Sequence, residues 1–290
     1  MNLSTLMCKF MKYRESVKAR LIETEEGFYV IAGTIRKESG MSSSYFLVDT
    51  GASNSIFIAD VATHILGKSL LVGLGRTIHS YTGMVSLSIS NVRVMMEAHL
   101  VERSMLPSIK GYAISGILGS DFFLSNKVVL DFSTSELYQQ TSQRSDTIYG
   151  CFPMSLGMES YKVPMLMLEN AGGCFFFIVD SGSDINIISA NSLERIQDVT
   201  KEGSESFCIQ SLAACSQSVE YIIPFQIHSL TGRQQIMERF ACPVTGGKDV
   251  KCQDALFDIN GVVGNAFLRK HKMVLDYHQK LFYSMTGFGC

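Results

Sequence analysis

The chain of 290 residues contains no tryptophan and only five prolines, and its four charged residue types make up 18% of it. Apolar residues account for 46%, which excludes a disordered protein of low hydrophobicity. The net charge is −2 and no block of like charge occurs, so no phosphate-binding surface is indicated. We therefore expect a globular protein without a nucleic-acid partner.

Long apolar runs are also missing. The longest, Cys174 to Val179, has six residues, whereas a membrane-spanning helix needs about 18 or more. The first 14 residues carry scattered charges and lack the roughly 7–15-residue apolar core of a secretory signal. The sequence thus predicts no membrane partner and a cytoplasmic location.

Cysteine and histidine are present without the spacing of a metal site. The eight cysteines form no C-x-x-C pair, and the six histidines are not spaced like zinc ligands. A disulfide framework is unusual in a chain of this length without a secretory signal. We predict free thiols, no metal and no cofactor.

Two short stretches of the chain, Phe46–Ser53 and Phe177–Asp184, repeat one pattern. Each is an apolar run followed by an aspartate, a hydroxyl residue and a glycine. The triplets are Asp49-Thr50-Gly51 and Asp180-Ser181-Gly182. An ionised carboxylate at the end of a buried strand is costly unless it is paired or used. Two such carboxylates in matched positions suggest that each is the partner of the other.

A second pattern follows each triplet. Gly116-Ile-Leu-Gly119 precedes a strand that ends in Asp131, and Gly261-Val-Val-Gly264 precedes a strand that ends in Asp276. The glycine that ends the second pattern (Gly119 or Gly264) lies 12 residues before the aspartate that ends the strand in both halves. The same glycine lies 70 residues after the triplet aspartate in the first half and 84 residues after it in the second. Both patterns and the 12-residue spacing are repeated, while the segment between the triplet and the second pattern varies in length. This indicates an internal duplication.

The rest of the chain consists of short β-branched and aromatic runs separated by turn residues. This pattern predicts an all-β protein with a few short helices. Residues 59–65 and 121–124 are expected to be helical, and the polar stretch 139–146 suits a linker. The predicted organisation is an N-terminal arm (1–19), a first lobe (20–138), a linker (139–154) and a second lobe (155–290).

The triplets suit acid–base chemistry. If a two-fold-like fold brings Asp49 and Asp180 together, both cannot ionise easily, so the pair shares one proton and supplies a base and an acid at once. The glycines allow a sharp turn that brings backbone N–H groups to the carboxylates, and the hydroxyl groups can hydrogen-bond across the interface. The residues expected to support the dyad are Thr50, Gly51, Ser181, Gly182 and Ser183.

With these motifs the chain resembles the retropepsin-like aspartic peptidases over about residues 20–138 and 155–284. Members of that family are usually one such half that dimerises, so this chain resembles two halves fused. The resemblance implies a bilobal, pseudo-two-fold aspartic-peptidase fold with one β-barrel per half, and a monomer. It also implies a cleft for an extended peptide or protein substrate, with a water held by Asp49 and Asp180 as the catalytic residues.

The same resemblance implies further features of the cleft. Ser53 and Asp184 occupy the place from which family members bind the substrate backbone. Hairpin flaps are expected near 71–86 and 208–222. Gly116–Gly119 and Gly261–Gly264 match the second signature of the family. The Gly-Arg-Asn that ends this signature in viral members is replaced by Gly119-Ser-Asp and Gly264-Asn-Ala, so the arginine that clamps their dimer is missing.

The two halves differ next to the dyad. Ser183 can donate a hydrogen bond to the carboxylate of Asp180, whereas Ala52 offers Asp49 no such donor. We therefore expect the shared proton to lie mainly on Asp49.

Two other functions stay open at this point. Actin-like and sugar-kinase ATPases also use two Asp-x-Gly loops, but their fold usually needs long helices and a Gly-Gly adenosine motif, which are not visible in the sequence. The same fold without the chemistry would be a peptide-binding module that adds a peptide strand to its edges. The intact aspartates and glycines of both triplets argue against that silent module.

Overall fold

A computed structural model gives the structure, and it describes residues 18–73, 76–90, 92–139, 150–153, 155–156, 162–210, 215–229, 232–243 and 259–284. These residues are mostly strand and form two closed six-stranded barrels, one in each half of the chain. The predicted all-β, two-lobed fold is confirmed.

The first lobe has a barrel that closes in the order β2-β3-β8-β4-β7-β6 and back to β2. One short helix follows β8. The elements are β1 (Lys18–Glu23), β2 (Tyr29–Lys37), β3 (Gly40–Val48), β4 (Ile56–Ile58), a 3-10 turn (Ala59–Val61), β5 (Ala62–Gly73), β6 (Arg76–Ile89), β7 (Val92–Val101), a 3-10 turn (Arg103–Met105), β8 (Ile114–Leu118), α1 (Ser120–Ser125), β9 (Val128–Asp131) and β10 (Glu136–Gln139).

The second lobe repeats this topology, and its barrel closes in the order β13-β14-β19-β15-β18-β17 and back to β13. The elements are β11 (Gly150–Pro153), β12 (Ser155–Leu156), β13 (Pro164–Asn170), β14 (Gly173–Val179), β15 (Ile187–Ile188), α2 (Ala190–Arg195), β16 (Thr200–Gln210), β17 (Cys215–Ser229), β18 (Gly232–Pro243), β19 (Ile259–Val263), α3 (Asn265–Lys270), β20 (Met273–Asp276) and β21 (Leu281–Ser284). The duplication seen in the sequence is therefore a duplication of the whole strand order.

Aromatic side chains fill the barrel interiors. Strand β14 alternates buried and partly exposed residues, as a strand with one face in a core does. From its buried face Phe177 packs against Phe225 and Phe240, with ring centroids 5.7 and 5.2 Å away. In the first lobe Phe46 packs edge-on against Phe57 at 6.0 Å. Burial of each such ring stabilises the fold by about 1.5–3 kcal/mol, which makes each barrel a rigid support.

The two lobes are joined by an interlobe sheet, in the order β11-β21-β20-β9-β10-β1, which continues through β1 into the first barrel. Its central pair is β9 and β20, which run antiparallel with Leu130 opposite Leu275. These two leucines are equivalent in the duplication, since each lies one residue before the aspartate that ends its strand. An equivalent residue paired with its own counterpart marks a two-fold axis, so the lobes are related by a pseudo-two-fold axis at this point.

Some predicted boundaries differ from the structure. Strand β5 starts at Ala62, so the predicted helix at 59–65 is wrong beyond the 3-10 turn, because pairing with β6 overrides a local helical pattern. Strand β11 falls within the predicted linker 139–154 and pairs with β21 in the interlobe sheet. The rest of that linker, apart from Gln139 and β11, and residues 1–17 of the predicted arm lie outside the described residues.

None of the helices in the described part of the chain has the length and apolar character needed to cross a lipid bilayer.

Because Leu130 and Leu275 are fully buried at the centre of the interlobe sheet, truncation of either should destabilise the whole protein. We expect Leu130→Ala and Leu275→Ala each to lower the free energy of unfolding by about 2–5 kcal/mol, measured by urea denaturation with far-UV circular dichroism. Met95→Ala, at a side chain that is 55% exposed, is the control and should change it by less than about 0.5 kcal/mol. A leucine variant as stable as the control would contradict the interlobe sheet.

Candidate active site

The two triplets begin where equivalent strands end. Asp49 follows β3, and its N–H donates to the carbonyl of Leu118 at 3.0 Å; Asp180 follows β14, and its N–H donates to the carbonyl of Val263 at 3.0 Å. Both partners lie at the ends of the adjacent parallel strands β8 and β19. Each aspartate is therefore fixed by the central strands of its barrel, with its side chain half-buried.

The hydroxyl residues of the triplets link the lobes through four hydrogen bonds. The Thr50 hydroxyl donates to the carbonyl of Val179 at 2.7 Å and accepts from the N–H of Ser181 at 2.9 Å. The Ser181 hydroxyl donates to the carbonyl of Val48 at 2.8 Å and accepts from the N–H of Thr50 at 3.1 Å. Both side chains are fully buried, so these reciprocal bonds hold the two loops in one geometry.

The glycine of each triplet packs against the carboxyl group of the other triplet. A Cβ atom built on Gly51 would lie 2.4 Å from Cγ of Asp180, and one on Gly182 would lie 2.6 Å from Cγ of Asp49. Only a residue without a side chain allows this approach. The crossed contacts bring the two carboxyl groups together across the pseudo-two-fold axis.

Backbone donors point at both carboxyl groups. The N–H of Ala52 donates to Oδ1 of Asp49 at 2.9 Å, and the N–H of Gly182 donates to Oδ1 of Asp180 at 2.7 Å. Such bonds orient a carboxylate and favour its ionised form.

The electrostatics of the pair oppose double ionisation. Burial raises the pKa of Asp49 well above its ordinary value, and the charge of Asp180 raises it further. Burial also raises the pKa of Asp180, but hydrogen bonds from Asp49 and from the N–H groups of Gly182 and Gly51 offset part of that rise. These directions favour one proton shared by the pair.

The Ser183 side chain does not act as the sequence predicted. Its hydroxyl donates to the carbonyl of Ile185 at 2.8 Å, and since a hydroxyl has one hydrogen it does not donate to Asp180. The prediction that Ser183 supports Asp180 through its side chain is therefore wrong. It shapes the loop after the triplet instead.

The second glycine signature supports these loops from below. A Cβ atom on Gly119 would lie 2.7 Å from the carbonyl carbon of Asn54, and one on Gly264 would lie 2.4 Å from the carbonyl oxygen of Ile185. The loop after each triplet thus passes directly over the glycine that ends the second signature. That close approach explains why this spacing from glycine to strand is repeated.

The first turns of α1 and α3 hold the loops by their backbone N–H groups. The N–H of Asp121 donates to the carbonyl of Ser53 at 3.1 Å, and the N–H of Ala266 donates to the carbonyl of Asp184 at 2.9 Å. The predicted substrate-binding residues Ser53 and Asp184 therefore occupy equivalent places beside the dyad. Both side chains are half-buried.

The surroundings of Asp184 contain an arginine that the motif comparison did not find. Arg269 in α3 binds Oδ1 of Asp184 at 2.9 Å, and it also contacts Oε1 of Glu23 at 3.2 Å and the carbonyl of Gly27 at 3.0 Å. Glu23 and Gly27 belong to the first lobe, so this arginine bridges the lobes. In α1 the equivalent position holds Leu124, which carries no charge.

Sequence reasoning also missed three buried polar residues near the dyad, namely Ser120, Asn265 and Tyr277. Ser120 and Asn265 follow the last glycine of each second signature, so the internal repeat could have marked them as a pair. Their differing chemistry concealed that equivalence.

Hairpins lie at both positions where flaps were expected. Strands β5 and β6 form the first, and strands β16 and β17 form the second. Residues 74–75 and 211–214, between the paired strands, lie outside the described residues. On the first hairpin Leu70 and Tyr81 are exposed, at 55% and 47%.

Within the described ranges, no group of three or more His, Cys, Asp and Glu side chains could hold a metal ion.

A scan against protein-family models and a search of curated proteins found no match to this chain.

Because Gly51 and Gly182 contact the carboxyls of the opposite lobe, a methyl group at either position should force the loops apart. We expect Gly51→Ala and Gly182→Ala each to lower the free energy of unfolding by about 1–3 kcal/mol, measured by urea denaturation. Gly67→Ala is the matched control, since a Cβ there would meet nothing within 4 Å. Equal stability of all three variants would show that the crossed contacts do not exist.

The interlobe arginine should couple to Glu23. In a double-mutant cycle of Arg269→Ala with Glu23→Gln, we expect a coupling of about 0.5–1 kcal/mol, which is modest because both side chains are partly exposed. The measurement is chemical denaturation at low and high salt, and salt should reduce the coupling. The same cycle is measured for Lys18 and Glu136, a surface ion pair within the first lobe, to compare a pair that does not bridge the lobes. Zero coupling at low salt would rule out the bridge.

Proposed function

We propose that this protein is an aspartic endopeptidase of the retropepsin-like type, with two fused halves and with Asp49 and Asp180 as its catalytic residues. The observation that carries the proposal is the reciprocal arrangement of the triplets. Each hydroxyl residue bonds to the backbone of the opposite lobe, and each glycine packs on the opposite carboxyl group. Two carboxyl groups fixed in this way share a proton and can act as acid and base together.

In the proposed mechanism a water molecule binds between the two carboxyl groups. Asp180 is the ionised partner and accepts a proton from the water. At the same time the oxygen atom of the water attacks the carbonyl carbon of the substrate. Asp49 gives its proton to the carbonyl oxygen, which forms a tetrahedral diol. Asp180 then gives the proton that it took from the water to the amide nitrogen, and Asp49 takes a proton back from a hydroxyl group of the diol. The C–N bond breaks, which releases an amine and a carboxylic acid.

The proposed substrate is an extended peptide or protein segment. The carboxyl pair lies at the junction of the lobes, and the hairpin β5–β6 carries exposed apolar side chains that suit apolar substrate residues. Ser53 and Asp184 flank the dyad in equivalent places and offer polar groups for the substrate backbone. The enzyme would act as a monomer, because both halves of the pair belong to one chain.

We also propose that the enzyme works in the cytoplasm. Cys174 and Cys242 have free thiols, which a reducing compartment maintains.

The alternatives are less well supported. Each of the three described α-helices has six residues, so the described part of the chain lacks the long helices of the two-loop ATPases. A silent peptide-binding module would not need two carboxyl groups held together at a cost in repulsion. The cleavage experiment distinguishes that module from an enzyme.

Replacement of either aspartate should abolish cleavage without unfolding the protein. We expect Asp49→Asn and Asp180→Asn each to reduce kcat on a peptide library by more than about a thousandfold, because the acid and base act as one unit. The fold raises both pKa values, so the folded protein retains a proton that the unfolded chain releases at lower pH. The pair therefore lowers stability as pH rises through the raised pKa, and both variants should be at least as stable as the natural protein at pH 7.

The matched control is Asp60→Asn, at an exposed aspartate paired with Lys37 on the surface of the first lobe. It should cleave the library normally. A natural protein that binds library peptides but never cleaves them between pH 3 and 7 would establish the binding module instead. Full turnover by either dyad variant would disprove the assignment of the catalytic residues.

A further inference from the structure

Asn265 lies under the second triplet and acts on one of its peptide groups. Its side-chain amide donates to the carbonyl of Ser181 at 2.9 Å and to the carbonyl of Gly27 at 2.9 Å. The peptide group that carries the Ser181 carbonyl also carries the N–H of Gly182, which donates to Oδ1 of Asp180 at 2.7 Å. One peptide group therefore accepts from Asn265 on one side and donates to the carboxyl on the other.

The orientation of this amide is fixed by its surroundings. Asn265 is fully buried, and both of its near neighbours are carbonyl oxygens, so its NH₂ group must face them. Among the residues that the structure describes, its Oδ1 has no hydrogen-bond partner, which is a costly state for a buried acceptor. The NH₂ group of Asn265 thus donates to two backbone carbonyls, while its Oδ1 accepts no hydrogen bond from a described residue.

Ser120 has the equivalent place under the first triplet. Its hydroxyl donates to the carbonyl of Thr50 at 3.0 Å, and that peptide group carries the N–H of Gly51. The Gly51 N–H lowers the pKa of both Asp49 and Asp180, opposing the effect of burial. Gly51 itself packs against the carboxyl group of Asp180, so the hydroxyl on α1 binds a peptide group beside the pair, as the amide on α3 does.

Behind Ser120 the chain of hydrogen bonds continues into the other lobe. The hydroxyl of Tyr277, which follows β20, lies 3.3 Å from Oγ of Ser120. Because the single hydrogen of Ser120 is used on Thr50, the tyrosine must be the donor. Burial raises the pKa of Tyr277, so it stays a neutral O–H donor at any pH at which the enzyme would work. Phe132, which has no hydroxyl, occupies the equivalent position in the first lobe.

Hydrogen bonds in series strengthen one another. A donor bound to a peptide carbonyl polarises that peptide and makes its N–H a better donor, by roughly 10–30% per bond. A stronger N–H bond to a carboxylate favours the ionised form and fixes its orientation. The residues under the triplets can therefore act on the dyad without touching it.

We propose that Asn265 and Ser120, with Tyr277 behind Ser120, are positioning residues that strengthen backbone N–H donation to the carboxyl pair. This rests on the proposed function for its catalytic consequence, but the effect on the carboxyl groups exists in the free protein. We call each series of hydrogen bonds from a side chain through a peptide group to a carboxyl group a relay. The relay beside Asp180 begins with the amide of Asn265, and the relay beside Asp49 begins with the hydroxyls of Tyr277 and Ser120. The two carboxyl groups are therefore supported by different groups.

Other charged or titratable groups face this region and must stay unchanged in the test. Asp121 lies on α1, where its Oδ1 accepts from Ser55 at 2.6 Å, and His99 on β7 interacts with it. Arg269 and Asp184 form an ion pair at α3, with Tyr29 close to the arginine. None of these groups is altered by the variants used.

The direct test is a carbon-13 NMR titration of the aspartate carboxyl groups in the free protein, with the dyad signals assigned by Asp49→Asn and Asp180→Asn. Loss of a relay donor weakens an N–H bond to the ionised form, so the apparent pKa values of the pair should rise. We expect Asn265→Ala, Ser120→Ala and Tyr277→Phe each to raise them by about 0.2–0.6 of a pH unit. Asn265→Ser should give a smaller rise than Asn265→Ala, because Ser120 shows that a hydroxyl here reaches the carbonyl.

Ser284→Ala is the matched control for a lost buried hydroxyl. Ser284 is fully buried and donates to the carbonyl of His271 at 3.0 Å, outside the relay. It should cost similar stability in urea denaturation and leave the dyad titration unmoved. If Tyr277→Phe and Ser120→Ala also leave it unmoved, or shift it only as the control does, the relay is disproved.

Kinetics separate this inference from the proposed function. If the enzyme cleaves peptides, the acidic limb of its pH–rate profile should move to higher pH in the relay variants, with kcat reduced more than KM changes. A shifted titration in a protein without peptidase activity would retain the relay and reject the enzyme. Peptidase activity with an unshifted titration would retain the enzyme and reject the relay.

Discussion

Two carboxyl groups, Asp49 and Asp180, lie against each other at the pseudo-two-fold axis, and like charges at such a place repel each other. The structure opposes this repulsion with groups that belong to the backbone. The N–H bonds of Ala52 and Gly182 and the buried hydroxyl links between the triplets fix the loops. Backbone donors are held in place by the barrels, so they need no reorganisation when a proton moves. The rigid barrels and the interlobe sheet are the supports that this arrangement requires.

The duplication explains which features are symmetric. Strand order, triplet hydrogen bonds and glycine contacts all occur twice, because each carboxyl needs the same turn and the same close approach. Features outside this frame differ between the halves. Asn265 corresponds to Ser120, Arg269 corresponds to Leu124, and Tyr277 corresponds to Phe132. The two lobes are thus equivalent at the triplets, where both carboxyl groups depend on the same geometry. They differ at the side chains that pack beneath the triplet loops.

The sequence predicted the frame well and the supporting groups poorly. Alternating apolar runs and repeated glycine spacings indicated two β-lobes, because these patterns follow from local geometry. The helical pattern at 59–65 failed, since pairing with β6 decides that segment. Position in the motif assigns the hydroxyl of Ser183 to Asp180, whereas in the structure the carbonyl of Ile185 takes its hydrogen. Arg269 and Tyr277 act across the lobes, and no local pattern records such contacts.

A single chain that encodes both halves can treat its two carboxyl groups differently. In a symmetric dimer any substitution appears on both sides, so the two acids can differ only when a substrate breaks the symmetry. Here Arg269 binds Asp184 on one side alone, and the donor under each triplet has different chemistry. The unequal positions of the shared proton can therefore be built into the free protein. Since the Ser183 hydroxyl donates to Ile185, a difference between the two carboxyl groups depends on their burial, on the backbone N–H donors and on the groups beneath the loops.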